Sequence, residues 1–190
     1  IAAREPGRLR STSGIELIAG RGLRELRAPI DTLMVAGGGG TAQALRDREL
    51  IGFLRRRAPV ARRVASVCTG AFLLAEAGLL DGRRATTHWA SCARLASLYP
   101  KVRVESDPIF VRDGKVWSSA GVCAGMDLAL ALVEQDHGRE LALTVARWLV
   151  HFLKRPGGQS QFSADLEAQA TEHDAIRALQ SWAREHLRDG

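Results

Sequence analysis

The feature that most constrains this chain is a short turn between two apolar runs of different type, in the letters RVASVCTGAFLLA at 63–75. Residues 64–67 predict a strand and residues 71–77 predict a helix, so Cys68, Thr69 and Gly70 must turn the chain sharply between them. This is the pattern of a nucleophile elbow. A thiol at its tip would lie near a helix N-terminus, where backbone N–H groups and the helix dipole favour the thiolate. The alternative is a buried structural cysteine, because free cysteine packs as a small hydrophobe.

Composition predicts a globular protein with one substantial core, since 46% of the 190 residues are hydrophobic. The net charge of +6 comes almost wholly from arginine. It permits contact with nucleic acid or acidic ligands, but arginine usage also follows genome composition. None of the three cysteines forms a C-x-x-C pair, which argues against a disulfide framework or a structural zinc site. We therefore expect a protein of the reducing cytoplasm, and the sequence carries no apolar run of membrane-spanning length.

Apolar strands alternate with helices along the chain, which predicts an α/β fold with a mostly parallel sheet sandwiched by helices. A strand at 32–36 ends in a run of four glycines, and one helix is expected to follow through Leu54. Residues 109–118 predict a hairpin with Asp-Gly at its turn. Helices are expected at 123–134 and 139–153. The composition shifts after 155, and a last amphipathic helix is predicted from Asp174.

Ligands of such sheets bind beyond the carboxyl ends of the strands, where the glycine loop, the elbow and the turn at 118–121 should converge. The backbone N–H groups of the glycine loop could face an oxyanion or a carboxylate. The loop also satisfies a loose dinucleotide fingerprint, but no acidic residue ends the next strand. The predicted ligand-binding residues are Gly38, Gly39, Cys68, Thr69, His88, Gly121 and Cys123.

His88 is the one histidine placed to activate the Cys68 thiol, because it follows a short strand near the same sheet edge. The equally weighted alternative is a histidine hydrogen-bonded in a wall beside Trp89. Cys123 opens a helix and could line the pocket, although a packed thiol is favoured, and Cys92 is predicted to be core. We expect neither a metal nor a cofactor.

Three segments closely resemble the ThiJ/PfpI superfamily, which has the class I glutamine-amidotransferase-like fold: SVCTGA at 66–71, AGLLDGRRATTHW at 77–89 and SSAGVCAGMD at 118–127. Further segments resemble the amidase-like domain of AraC-type transcriptional regulators: DHGR at 136–139, ARWLV at 146–150, RPGGQSQFS at 155–163 and IRALQSWAREHL at 176–187.

The resemblance implies a flavodoxin-like ligand-sensing domain at 1–155, a linker at 156–173 and the start of a truncated DNA-binding domain at 174–190. It also implies that the first strand of the fold, with the acidic residue that superfamily enzymes place beside the nucleophile, lies before Ile1. DNA contact would then come from a C-terminal domain absent from this chain, and superfamily members are usually homodimers.

Two functions follow as alternatives. The first is a sensory and oligomerisation domain that binds a small nitrogen-containing or amide-like metabolite around Cys68 without turning it over. The second is an isocyanide hydratase or amidase, with Cys68 as the nucleophile and His88 assisting. A third, a redox or aldehyde-scavenging thiol protein, rests only on an exposed Cys68.

Overall fold

A computed structural model of the chain describes residues 1–11, 13–155 and 157–160, with 178, 179, 182 and 186. The strands are β1 (Ala2–Ala3), β2 (Gly7–Arg10), β3 (Glu16–Ala19), β4 (Arg21–Gly22), β5 (Thr32–Val35), β6 (Arg63–Val67), β7 (Arg84–Ala85), β8 (Arg103–Val104), β9 (Phe110–Asp113) and β10 (Val116–Ser119). The α-helices are α1 (Thr41–Ala44), α2 (Arg48–Arg57), α3 (Gly70–Glu76), α4 (Cys92–Leu98), α5 (Val122–His137) and α6 (Arg139–Trp148).

The central sheet has four strands in the order β5-β6-β10-β9. Strands β5, β6 and β10 are parallel, and β9 joins the edge as the antiparallel arm of the predicted hairpin. Gly114 makes the tight turn of that hairpin with a φ of 62°. The remaining strands form two-stranded sheets, one of which is the antiparallel hairpin of β2 and β3.

Helices cover both faces of the central sheet, which confirms the predicted sandwich. Val64 and Val116 point into a core that includes Leu54 of α2 and Leu74 of α3. Their neighbours Ala65 and Trp117 point the other way. There they pack against two leucines of α5, Leu128 and Leu132.

Charged side chains form hydrogen bonds at the end of the sheet that lies opposite the elbow. Arg62 donates to Asp31 before β5 and to Asp136 at the end of α5, and Arg63 also donates to Asp136. The guanidinium groups of Arg62 and Arg63 hold the pKa of Asp136 well below its usual range. These contacts join two strands and α5 at their ends and so fix the register that places the elbow.

Two helix predictions need correction. The helix expected after the glycine loop is two helices, because Asp47 adopts extended backbone and its side chain accepts from the N–H groups of Glu49 and Leu50. The helix expected to reach residue 153 ends at Trp148, since Val150 takes a φ of 51°. The N–H of His151 then donates back to Ala146, which closes the helix end.

The predicted boundaries at 155 and 173 stay predictions. Within the predicted linker, residues 157–160 lie against the α/β domain, where Gln159 is buried. The predicted C-terminal helix lies outside the described residues except for isolated positions, at which Leu179 and Trp182 are exposed. No helix in the described part of the chain is both long and apolar enough to cross a membrane.

Candidate functional site

Cys68 stands at the tip of the turn between β6 and α3, with a φ of 55°. This left-handed backbone costs a non-glycine residue about 1–2 kcal/mol, so the surrounding structure must hold it. The Cys68 N–H donates to the carbonyl of Ser119 at 2.9 Å. The Cys68 carbonyl accepts from the Thr87 hydroxyl at 2.8 Å. The residue is half-buried, so its thiol is not sealed in the core.

Two glycines let the end of β5 approach this elbow closely. A Cβ at Gly37 would lie 2.5 Å from the Thr69 nitrogen. A Cβ at Gly70 would overlap the Val35 carbonyl oxygen. Only glycine fits at either position, which explains a glycine at the start of the loop and another at the start of α3.

Two threonine hydroxyls join the glycine loop to the elbow. The Gly38 N–H donates to Thr69 Oγ1 at 2.9 Å, and the Thr41 hydroxyl donates to the Gly38 carbonyl at 2.8 Å. The two hydroxyl oxygens are themselves 2.8 Å apart. The predicted convergence of the loop on the elbow is therefore present, and Thr41 belongs to it although it was not among the predicted ligand-binding residues.

A cleft of about 140 Å³ opens beside the elbow. That volume corresponds to roughly five water molecules at their share of liquid volume, which suits a small metabolite. No acidic side chain is among the described residues that line it, which are Gly38, Gly39, Thr41, Ala42, Leu45, Thr69, Phe72, Ser91 and Arg94. The Arg94 guanidinium lies over the Phe72 ring, 5.9 Å from its centroid, and gives the cleft a positive charge.

His88 lies on the other side of the elbow. Its Cδ2 would be 3.2 Å from a Cβ at Gly121, and its ring lies beside that of Trp89 with centroids 5.5 Å apart. Among the described residues no hydrogen bond joins His88 to Cys68. His88 and Gly121 are thus neighbours, but the described lining of the cleft includes neither of them, nor Cys68 or Cys123. A common pocket for these residues and activation of the thiol by His88 both stay predictions.

The three cysteines occupy different environments. Cys92 is buried as predicted, and burial raises the pKa of its thiol. Its thiol donates to the carbonyls of Thr87 and His88 at 3.6 Å. Cys123 is exposed at the start of α5, so the expectation of a packed thiol is wrong, and its part in ligand binding stays a prediction. Cys68 alone combines partial exposure with the strained elbow.

Three cleft residues were not predicted: Phe72 enters from α3, Arg94 from α4 and Ser91 from the turn before α4. Thr87 was not predicted either, although it lies in the segment at 77–89 that resembles the superfamily. Their roles depend on packing between segments separated along the chain, and no local pattern reports that packing.

Together the parallel sheet, the strand–turn–helix elbow and its half-buried thiol define a class of α/β domains built around a cysteine elbow. The chain belongs to the DJ-1/PfpI family, whose model matches residues 1–135. The resemblance to the ThiJ/PfpI superfamily is thereby confirmed.

Its relatives include both enzymes and regulators. The chain is 40% identical over 119 residues to isonitrile hydratase of Pseudomonas putida, covering 61% of this chain and 50% of that protein. It is 36% identical over 122 residues to the HTH-type transcriptional regulator GbdR of Pseudomonas aeruginosa, covering 64% and 33% respectively. The chain thus spans between a third and a half of the length of these relatives.

Solved structures agree on the fold. A ThiJ/PfpI family protein from Pseudomonas syringae superposes with a TM-score of 0.74 at 29% identity, covering 82% of this chain and 64% of that one. An AraC family transcriptional regulator from Pseudomonas putida superposes with a TM-score of 0.68 at 30% identity, covering 78% of each chain.

Proposed function

We propose that this chain is the ligand-sensing and oligomerisation domain of an AraC-family transcriptional regulator, which binds a small metabolite beside Cys68 without turning it over. The cleft between the glycine loop, the elbow and α4 carries this proposal, because it offers a binding surface and its described lining residues include no acid–base pair. The similarity of the chain to GbdR and to the AraC family structure supports the regulatory assignment. DNA contact through a separate domain, a homodimeric state and a cytoplasmic location belong to the same proposal.

The side chains of the cleft select the chemistry of the metabolite. Arg94 supplies a cation, Ser91 supplies a hydroxyl, and the threonine pair supplies two more. A ligand carboxylate beside Arg94 would form a charge-assisted hydrogen bond, and no acidic side chain among the described lining residues would compete for it. We therefore propose a small molecule that carries a carboxylate next to an amide or another nitrogen-containing group.

Calorimetry with N-acetylglycine and N-acetylglycinamide tests this assignment, because the two probes differ only in the carboxylate. We expect N-acetylglycine to bind roughly tenfold or more tightly than the amide, as a lost charge-assisted hydrogen bond would produce. Arg94→Gln should abolish the difference. Arg103→Gln is the matched control, since Arg103 donates to the Gly82 carbonyl outside the cleft. Equal binding of both probes, or binding of neither, would contradict the assignment.

The alternative function is hydration of isonitriles, which the 40% identity to isonitrile hydratase favours. In that reaction the Cys68 sulfur would bond to the terminal carbon of the isonitrile, which takes up the thiol proton to give a thioimidate. Water would then add to that carbon, the C–S bond would break, and an N-substituted formamide and the free thiol would be released. We expect the purified chain to leave an alkyl isonitrile unchanged. Formamide production that disappears in Cys68→Ser would establish the enzyme and overturn the sensor proposal.

A further inference from the structure

The segment 157–160 is held against the domain by several contacts with Asp107. The Gln159 N–H donates to the Asp107 carbonyl at 2.6 Å. The Ser160 N–H and hydroxyl both donate to Asp107 Oδ1, the first at 3.1 Å. Gly158 packs so closely on the Asp107 carboxylate that a Cβ there would overlap it. Although predicted as linker, these residues form part of the folded body.

Gln159 extends this segment into the interior, where it is only 7% exposed. Its Nε2 donates to Thr86 Oγ1 at 3.0 Å and to the Pro108 carbonyl at 2.9 Å. The Pro108 carbonyl can only accept, which fixes the orientation of the amide. Within the described part of the chain, Oε1 of the same amide is buried with no hydrogen-bond partner. Because burial of an unpaired amide oxygen opposes docking, the segment is held less firmly than its contacts alone would imply.

Thr86, which accepts from Gln159, is next to Thr87, which hydrogen-bonds to the elbow. Thr86 accepts from Gln159, while Thr87 donates to the Cys68 carbonyl at 2.8 Å. The Thr86 N–H donates to the Ser118 hydroxyl at 2.8 Å. The next residue, Ser119, supplies the carbonyl that accepts from the Cys68 N–H. Two adjacent threonines thus connect the tip of the elbow with the segment at 157–160.

We propose that residues 157–160 form a latch that reports the state of the Cys68 elbow to whatever follows them in the chain. A group bound against Cys68 moves the Cys68 carbonyl, and Thr87 moves with it because its hydroxyl donates to that carbonyl. Thr86 then shifts away from the Gln159 amide, which loosens the latch. Coupling of this kind is reciprocal, so loosening the latch must also change the elbow. As a route of regulation the proposal rests on the sensor function, but the coupling itself is testable without any metabolite.

The test uses iodoacetamide as the probe of the elbow. The Cys68 thiol loses its proton to solvent, its sulfur bonds to the CH₂ carbon of the reagent, and iodide leaves. Peptide mass spectrometry measures the rate at Cys68 separately from Cys92 and Cys123. We expect Gln159→Leu and Thr86→Val each to raise the Cys68 rate about fivefold, the factor that one lost neutral hydrogen bond produces. Tyr99→Phe is the control for general destabilisation, since it removes a hydrogen bond to Glu76 elsewhere in the fold.

Hydrogen exchange supplies the reciprocal measurement. Alkylated wild-type protein should exchange the amides of 158–160 faster than untreated protein does. The control is Cys68→Ala treated with iodoacetamide, which can form the Cys123 adduct but not the Cys68 adduct. Exchange at 158–160 should not be faster in this control. Unchanged exchange at 158–160 after alkylation of Cys68, or equal alkylation rates in wild type, Gln159→Leu and Tyr99→Phe, would overturn the latch. Failure of N-acetylglycine to bind would contradict only the proposed chemistry of the metabolite and leave the latch standing.

Discussion

At the scale of single residues, the backbone of Cys68 distinguishes this site from an ordinary strand-to-helix turn. A φ of 55° at a residue with a Cβ is strained, and the hydrogen bonds from Thr87 and to Ser119 hold it there. The Cys68 side chain is left half-buried at the tip of the elbow. The arrangement therefore presents a thiol at the cost of local stability.

Replacing Cys68 measures that strain directly. We expect Cys68→Gly to be more stable than Cys68→Ala by about 1 kcal/mol in urea denaturation, because only glycine adopts this φ without a Cβ clash. At exposed Ala129 in α5, where the backbone is helical, Ala129→Gly should instead cost about 1 kcal/mol. A Cys68→Ala variant as stable as Cys68→Gly would show that the elbow is unstrained.

The sequence predicted the elbow because its evidence is local. An apolar strand, a small-residue turn and an apolar helix follow one another within 63–75, so the tip had to be Cys68. Arg94 and Gln159 could not be predicted in the same way. Arg94 meets the cleft only after α4 packs beside α3, and the Gln159 amide bonds to Thr86 across 73 positions of sequence. Propensity and periodicity carry no information on such pairings.

At the scale of elements, the close approach of β5 to the start of α3 sets the geometry of the elbow. Gly70→Ala should cost about 1–3 kcal/mol in the free energy of unfolding, because its methyl group would meet backbone rather than a movable side chain. Gly40 is the matched control, with a φ of −76° and nothing within 4 Å of an added Cβ. Gly40→Ala should change the free energy of unfolding by less than about 0.5 kcal/mol. Equal costs at the two positions would contradict the observed packing.

The latch should also depend on pH through Asp107. Hydrogen bonds from the Ser160 side chain and backbone hold the pKa of Asp107 below its ordinary value. A carboxylate with a lowered folded-state pKa stabilises docking above its ordinary pKa of about 3.9, and that contribution is lost as the pH falls through the lowered value. We expect the NMR signals of the Gln159 and Ser160 amides to shift only below that ordinary pKa. Asp107→Asn should remove the transition, and a transition near neutral pH would exclude Asp107 as its source.

The predicted element boundaries were wrong at two places. Apolar periodicity continues past Asp47 and past Trp148, but the Asp47 side chain caps a new helix and Val150 turns the chain out of α6. Both interruptions depend on the conformation of one residue, which the surrounding hydrophobic pattern does not report. The central sheet was predictable, because its parallel strands are continuous apolar runs between helices.

At the scale of the whole molecule, the end of α6 carries a large apolar surface that is exposed within the described part of the chain. Trp148 is 85% exposed and Val150 is 94% exposed, with Leu149 and Phe152 exposed beside them. Surfaces of this kind mark interaction sites, and we propose that a second copy of the chain covers this one. Sedimentation should give the mass of a dimer, and Trp148→Glu should weaken dimerisation roughly 30-fold, the effect of losing one aromatic hot spot. A monomer at micromolar concentration in the wild type would contradict the homodimer.

Hydrogen exchange measured with and without N-acetylglycine tests the central claim most directly, because it reports on the cleft and on the latch in one experiment. We predict slower exchange in the glycine loop at 38–41 and at the start of α3, together with faster exchange at 158–160. Exchange that stays unchanged around the elbow at saturating N-acetylglycine would contradict the claim that the cleft beside Cys68 is the sensing site.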